Sequence, residues 1–309
     1  YVFTRPSVDG TFTQQFKLHA SDAAVDDYFG VSVSLYGDIA LIGVPYDDDN
    51  SKSNSGSVYV FTRPSVDGTF TQQAKLHASD PEGDDTFGAS VSLYGDTALI
   101  GARYDDDNSK SNSGSVYVFT RSSTDDGTFT QQSKLHASDP AASDYFGISV
   151  SLYGDTALIG AVKDDDNSKS MSGSVYVFTR SSTDGTFTQQ SKLHASDAAV
   201  GDRFGTSVSL YGDTALIGAY AVDHDSKTDS GSVYVFTRSS VDGTFTQQSK
   251  LHASDAAASD SFGRSVSLYG DTALIGATLD DDNSKSGSGS VYVFTRPSVD
   301  GTFTQQFKL

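Results

Sequence analysis

The chain has 309 residues, no cysteine and a formal net charge of −19. No disulfide can therefore hold it together, and the strong negative charge disfavours nucleic acid as a partner, because phosphate binding needs basic patches. No apolar run approaches the roughly 18 residues of a membrane span, and no segment has the form of a signal peptide. We therefore expect neither nucleic-acid binding nor membrane insertion.

Internal repetition is the most informative feature of the sequence. The glycine of a Phe-Gly pair recurs at positions 30, 88, 147, 205 and 263, a spacing of 58 or 59 residues. A period of this length is one supersecondary unit, which must stack on its neighbours to bury its apolar surface. We predict a single repeat domain, with an outer strand pair and entry loop at 1–28 and units at 29–86, 87–145, 146–203, 204–261 and 262–309.

The second unit shows the predicted elements in chain order. Residues 87–94 alternate small or polar with apolar side chains, as a strand does, and Gly95-Asp96 suits a tight hairpin. Residues 97–102 and 115–121 are apolar on both faces, which is typical of covered strands, whereas residues 129–136 are apolar on one face only. Each unit therefore predicts four short antiparallel strands, the form of a β-propeller blade, with almost no helix.

The repeated letters resemble the FG-GAP repeat, the blade of the integrin α-subunit propeller and of many microbial and algal surface proteins. The first unit carries them as Phe29-Gly30-Val31-Ser32-Val33 and Ile42-Gly43-Val44-Pro45. The resemblance implies an all-β propeller and an extracellular or cell-surface location. Integrin-type blades hold calcium in a long acidic loop between the two inner strands, but here that connection is only Tyr36-Gly37-Asp38. The resemblance therefore does not carry that calcium cage to these positions.

Acidic residues concentrate in two loops of each unit, one after the second strand and one entering the first. We expect both loops on the same side of the array, with the arginines after the third strand and the lysines of the fourth strand balancing the other acids. Runs of carboxylates followed by Asn are oxygen ligands of the kind that Ca²⁺ prefers, although the spacing matches no EF-hand loop. One calcium site per unit is predicted; the alternative is an ordinary solvated loop. The candidate ligands are Asp47, Asp49, Asn50, Asp105, Asp107, Asn108, Asp164, Asp166, Asn167, Asp223, Asp225, Asp280, Asp282 and Asn283, with Asp22, Asp80, Asp139, Asp197 and Asp255 of the entry loops as additional ligands.

Other candidate sites are weaker. One histidine per unit follows Lys-Leu (His19, His77, His136, His194 and His252) and is interpreted as a surface residue of the rim strand. The fourth unit alone reads Asp223-His224-Asp225, a set that could ligate a transition metal, but drift in a tolerant loop explains it more simply. Exposed aromatic residues could stack on sugars, but nearly all the Tyr and Phe residues of this chain fall at core-facing strand positions or beside the inner Gly. No Cys, unique Ser/His/Asp set or phosphate loop is present, so we predict no enzymatic activity.

The strand count raises the question of assembly. The inner strand pair occurs five times and the outer pair six times, giving 22 strands, and residues 1–18 are identical to residues 292–309. Both ends also look like cuts through a longer protein, in which a sixth inner pair could close a ring. We predict a non-enzymatic extracellular structural or adhesive protein that associates through its terminal strand pairs into a filament, stabilised by divalent cations. The alternative is a lectin-like or integrin-like propeller that recognises a glycan or protein surface.

Overall fold

The computed structural model describes residues 1–5, 10–49, 51–65, 68–107, 109–122, 128–166, 168–239, 243–281, 285–299 and 301–309. These residues form 22 strands and no helix, which confirms the predicted all-β class and strand number. In consequence, the described part of the chain contains no helix that is long and apolar enough to span a membrane.

The strands form six antiparallel sheets, one for each occurrence of the outer pair. A two-stranded sheet contains β1 (Val2–Thr4) and β2 (Thr13–Phe16), and five four-stranded sheets follow in chain order. Unit 1 contains β3 (Ser32–Tyr36), β4 (Ile39–Val44), β5 (Ser57–Thr62) and β6 (Thr71–Leu76). Unit 2 contains β7 (Phe87–Tyr94), β8 (Thr97–Ala102), β9 (Ser115–Arg121) and β10 (Phe129–Leu135). Unit 3 contains β11 (Phe146–Tyr153), β12 (Thr156–Ala161), β13 (Ser174–Arg180) and β14 (Phe187–Leu193). Unit 4 contains β15 (Ser207–Tyr211), β16 (Thr214–Ala219), β17 (Ser232–Thr237) and β18 (Thr246–Leu251). Unit 5 contains β19 (Phe262–Tyr269), β20 (Thr272–Ala277), β21 (Ser290–Thr295) and β22 (Thr304–Lys308).

Each unit is a propeller blade whose strands are paired in sequence order. In unit 2, Tyr94 pairs with Thr97 across the predicted two-residue hairpin, where Gly95 takes a φ of +59° that favours glycine. The second strand is buried along its whole length, and the fourth is exposed on one face, as the apolar pattern predicted. Units 1 and 4 differ slightly, because their first strands begin at Ser32 and Ser207 rather than at the preceding Phe.

Consecutive blades share their hydrophobic cores. Leu41 and Val58 of unit 1 are fully buried against unit 2, in one cluster with Phe87 and Tyr117. The blades approach so closely that a Cβ at Gly101 would lie 2.1 Å from a backbone oxygen of the next unit, so only glycine fits there. Each of the four clusters between units contains residues of two consecutive units, so neighbouring units bury one another's apolar surface.

Polar contacts between the first strands repeat the same pattern from blade to blade. Ser32 Oγ donates to the carbonyl oxygen of Gly88 at 2.7 Å, and the backbone N–H of Leu93 donates to Ser34 Oγ at 2.9 Å. The tyrosines that end the first strands also form a ladder, with ring centroids 5.0 to 5.1 Å apart from one unit to the next. These contacts join the first strands of consecutive blades.

The array is open at both ends, at two surfaces that we call the head face and the tail face. The head face consists of Gly30, Val33 and Leu35 of unit 1, and Val33 is 69% exposed although the equivalent Val91 is 9% exposed. The tail face consists of Ser265, Ser267, Leu274 and Val291 of unit 5. Units 1 and 5 thus do not bury each other as consecutive units do.

Candidate functional site

A polar cluster around a lysine is the most conspicuous arrangement of charged side chains in each blade. In unit 2, Lys134 Nζ lies 2.9 Å from Asp80 Oδ2 of the entry loop and 3.0 Å from Asp105 Oδ1 of the loop after the second strand. The Tyr117 hydroxyl lies within hydrogen-bond distance of both carboxylates, and Ser115 Oγ donates to Asp105 Oδ2 at 2.7 Å. Two predicted metal ligands are thus brought together, but a lysine ammonium lies between them.

The electrostatics of this lysine cluster favour the ion pair. In unit 1, the hydrogen bonds from Lys75 and then Tyr59 lower the pKa of Asp22. Burial alone would lower the pKa of Lys75, but its hydrogen bonds to Asp22 and Asp47 raise it above its ordinary value. Burial and the bond to Asp22 likewise raise the pKa of Tyr59. The lysine therefore stays charged and compensates a buried carboxylate, which would otherwise be strongly unfavourable.

Four of the five units contain the complete cluster, centred on Lys75, Lys134, Lys192 and Lys308. Unit 4 lacks one carboxylate, because the buried Val222 lies where the other units carry aspartate. Lys250 there pairs with Asp197 alone among the described residues, and the buried Ser232 Oγ has no hydrogen-bond partner among them. Unit 4 is thus a natural variant of the site within the same molecule.

The entry loop is bound to the rim of the blade that it enters. In unit 2, the Ser79 N–H donates to Gln131 Oε1 at 3.0 Å, and Gln131 Nε2 donates to Ser79 Oγ at 2.8 Å. The same pair of hydrogen bonds ties Ser21, Ser138 and Ser254 to Gln72, Gln189 and Gln305. The sequence analysis did not predict this contact. A signal for it was present, because the Ser-Asp of each entry loop lies at a nearly constant spacing from the Gln and Lys on the fourth strand of the following blade.

The second carboxylate of the acidic loop lies outside the lysine cluster, as does the third in units 1 to 3. Asp106 Oδ1 accepts a hydrogen bond from the Asn112 N–H at 2.7 Å, which closes the loop on itself. In units 1 to 3 the rim histidine lies beside the third carboxylate, with Nδ1–Oδ2 distances of 3.3 Å for His77–Asp49 and 3.6 Å for His136–Asp107. The candidates Asn50, Asn108, Asn167, Asp282 and Asn283 lie outside the described residues.

Unit 4 brings together two histidines. His224 replaces the third carboxylate, and its ring stacks on His252 with centroids 3.8 Å apart. His224 Nε2 also lies 3.3 Å from Asp225 Oδ2. Burial and the neighbouring His224 lower the pKa of His252 below its ordinary value.

A further carboxylate of the entry loop is buried in every unit. Asp85 of unit 2 is 4% exposed and accepts a hydrogen bond from the Glu82 N–H at 2.7 Å. Burial raises the pKa of Asp85 to about 6, and the same cause raises that of Asp144 to about 6. These carboxyl groups lie outside the lysine cluster and hold a proton more readily than an exposed aspartate does.

No group of three or more His, Cys, Asp or Glu side chains within the described ranges is arranged to hold a metal ion. The predicted ligands Asp47, Asp164 and Asp280 instead contact the lysine, serine and tyrosine of their own cluster. Calcium binding by these loops stays a prediction.

The charge balance differs from the sequence interpretation in one respect. The arginines after the third strand do pair with acids of the inner hairpin, as in Arg63–Asp38 and Arg238–Asp213, both at 2.8 Å. The lysines of the fourth strand instead pair with the entry loop and the acidic loop. These lysines therefore neutralise part of the negative charge that was expected on the side of the entry loops and acidic loops.

Comparison with known families identifies the class of protein. A model of the FG-GAP repeat matches residues 12–61, 70–119, 129–178, 187–236 and 245–294. The chain belongs to the FG-GAP repeat family, as the sequence predicted, and its fold is that of a β-propeller-like array. A search of curated proteins found no match.

Solved structures share the architecture at low sequence identity. A candidate 6-phosphogluconolactonase from Bacteroides uniformis superposes with a TM-score of 0.58 at 12% identity, covering 90% of this chain and 71% of the other. A functionally unknown protein from Desulfotomaculum acetoxidans superposes with a TM-score of 0.55 at 11% identity, covering 98% and 76%. At such identity the likeness is one of fold.

Proposed function

We propose that this chain is a non-enzymatic extracellular structural or adhesive repeat protein that associates head to tail. The observation that carries the proposal is the complementarity of its two open ends. The tail face exposes the residues that, in every internal junction, cover the equivalents of the head face. In each complete lysine cluster, ion pairs join the entry loop and the acidic loop to the fourth strand of the blade. The likeness to a candidate lactonase supports a shared fold only.

The junction between units 4 and 5 shows what the head face lacks. There, Leu216 and Val233 of unit 4 are fully buried in one cluster with Phe262 and Leu268 of unit 5. The equivalents of Leu216 and Val233 on the tail face are Leu274 and Val291, which are 41% and 36% exposed. A second copy could therefore place these two side chains against Val33 and Leu35.

The hydrogen-bonding groups at the two ends are complementary as well. In the internal junction, Ser207 Oγ donates to the Gly263 carbonyl oxygen at 2.8 Å and Ser209 Oγ accepts from the Leu268 N–H at 2.9 Å. Ser265 and Ser267 of the tail face are the equivalents of these serines, and Gly30 and Leu35 are the equivalents of their partners. A head-to-tail contact of this kind joins two different surfaces, so it propagates into a filament where it does not close.

Light scattering after size-exclusion chromatography, over a range of protein concentrations, tests the association. We expect the mass of the wild type to rise with concentration, whereas Leu274→Asp remains monomeric because it places a charge in the apolar contact. Val200→Asp, at a 68% exposed valine of an entry loop within the array, is the matched control and should behave as the wild type. A wild type that stays monomeric throughout would overturn the proposal.

A second candidate function, recognition of an acidic glycan, is favoured by a group of aromatic and basic side chains. Arg103 lies over the ring of Tyr104 at 4.7 Å, that ring contacts Tyr145 at 5.1 Å, and Lys163 Nζ is 2.8 Å from the Tyr145 hydroxyl. Neither Arg103 nor Lys163 has a carboxylate within 4.0 Å among the described residues. Aromatic rings that stack on sugars, beside unpaired cations, suit a glycan with carboxylate or sulfate groups.

A glycan array that includes uronic-acid and sulfated oligosaccharides tests this second candidate. Binding that is lost in the double variant Arg103→Gln and Lys163→Gln would support it. Absence of binding to every acidic glycan would exclude this partner and leave the structural role.

A further inference from the structure

The role of residues 1–18 rests on the head-to-tail association proposed above. We propose that residues 1–18, which form β1 and β2, are a displaceable cap on the head face. On association, the complete blade of a second copy takes their place, and its identical residues 292–309 occupy the position that the cap has left.

The cap lies where the outer strands of an incoming blade belong. Val2 and Leu18 pack against the cluster that contains Ile42 and Tyr59 of unit 1. At the junction of units 4 and 5, the equivalents Val235 and Leu251 make the same contact with unit 5. The cap and an incoming blade therefore need the same place.

The place of the inner strands is empty beside the cap. A cavity of about 660 Å³ lies between the cap and the first strands of unit 1 and is lined mainly by apolar residues, among them Phe3, Leu18, Phe29, Val33 and Leu35. Inner strands with the exposed Leu274 of the tail face would fill it with the same residue types that fill each internal junction.

The cap is held less firmly than its equivalents. Among the described residues, β1 pairs only with β2, whereas β21 pairs with β20 over six residue pairs as well as with β22. Phe3 is 51% exposed, although the equivalent Phe294 is 4% exposed. A two-stranded sheet is marginally stable by itself, so the cap is the pair that leaves and β21–β22 is the pair that stays.

The entry loop that follows the cap does not need to move. Asp22 is bound to Lys75 and Tyr59, and Ser21 is bound to Gln72, all within unit 1. This anchoring confines the exchange to the residues before the loop. The head face then becomes accessible without unfolding of unit 1.

Deletion of residues 1–18 tests the cap. We expect the truncated chain to associate at a concentration at least tenfold lower than the wild type in the same light-scattering series. Val2→Asp in the full chain weakens the packing of the cap without touching the head face, so it should shift association in the same direction. Circular dichroism shows whether the truncated chain folds, and Val2→Asp tests the cap even if it does not.

Hydrogen exchange separates the cap from the association itself. In the associated wild type, amides of residues 13–16 should lose protection while those of residues 304–308 retain it. If the wild type associates but both variants associate at the same or a higher concentration, the cap is wrong and the head-to-tail contact stands. If the wild type does not associate at any concentration, the proposed function fails and the cap fails with it.

Discussion

Lys250 lies 2.7 Å from Asp197 and has no second carboxylate among the described residues, because Val222 replaces the aspartate that completes the cluster in the other units. The chain therefore contains four complete lysine clusters and one incomplete cluster on the same scaffold. This difference allows the contribution of the second carboxylate to be measured within one molecule.

Replacement of the central lysine should have unequal effects in units 2 and 4. Lys134→Met leaves the buried Asp105 without its counter-ion and should lower the free energy of unfolding by about 2 to 3 kcal/mol. Lys250→Met removes a pair with a half-exposed aspartate and should lower it by about 1 kcal/mol or less. Both lysines lie 5.2 Å from a tyrosine ring centroid, so the loss of the cation–π contact is the same in the two variants. Equal shifts in the midpoint of urea unfolding would contradict this account.

Restoration of the missing carboxylate should be tolerated. Val222→Asp places a charge beside Lys250, Tyr234 and the Ser232 hydroxyl, so we expect the free energy of unfolding to change by about 1 kcal/mol at most. Val235→Asp is the control, because both valines are 3% exposed but Val235 faces only the apolar core. That variant should lose about 3 kcal/mol or more. Similar losses in the two variants would show that unit 4 cannot accept the cluster.

The buried Asp85 should make stability depend on pH. Its pKa is raised to about 6, so the folded state binds more protons than the unfolded state between about pH 4 and pH 6, and stability falls as pH rises through that window. Asp85→Asn keeps an acceptor for the Glu82 N–H and removes the charge. We expect it to stabilise the protein by about 1 kcal/mol at pH 7 and to have little effect at pH 4.5. Urea unfolding at the two pH values is the measurement, and an equal effect at both would refute the assignment.

The His224–His252 stack should respond to acid with the opposite sign. The pKa of His252 is lowered, so the unfolded state binds more protons and stability is lost as pH falls below about 6.5, the ordinary histidine value. His224→Asp restores the residue of the other units and should raise the pKa of His252. An NMR titration of the His252 ring protons in both proteins checks this, and an unchanged pKa would show that His224 is not responsible.

Calcium should raise the melting temperature most in a variant that lacks the central lysine. In the wild type the Lys134 ammonium already lies between Asp80 and Asp105, so a cation must compete with it. Lys134→Met frees both carboxylates, and millimolar Ca²⁺ should raise its melting temperature more than that of the wild type. Mg²⁺ at the same ionic strength is the control for screening. If excess EDTA and millimolar Ca²⁺ give the same melting temperatures in both proteins, the calcium prediction fails.

Much of the fold could be predicted because its signals are local. The alternation in residues 87–94, the apolar run at 97–102 and the Gly95 turn each depend on neighbours within one strand or hairpin, and the structure confirms them. The partners of Asp80 could not be predicted in this way. They lie on strands 37 and 54 residues later, and the hydrogen bonds depend on how the entry loop folds over the outer strands of the blade that it enters.

The sequence by itself determined the class of fold and the number of strands. It also determined that polar contacts recur from unit to unit where the same residues recur in the same environment, because identical segments in identical surroundings fold alike. Only the tertiary structure decided that the Lys134 ammonium lies between Asp80 and Asp105. It also decided that Val33 and Leu274 are exposed while their equivalents are buried. The reason is that burial at a blade surface depends on whether another blade covers it. Val33 and Leu274 have the same identity as their equivalents in other units, so the sequence of a unit does not show which of them are covered.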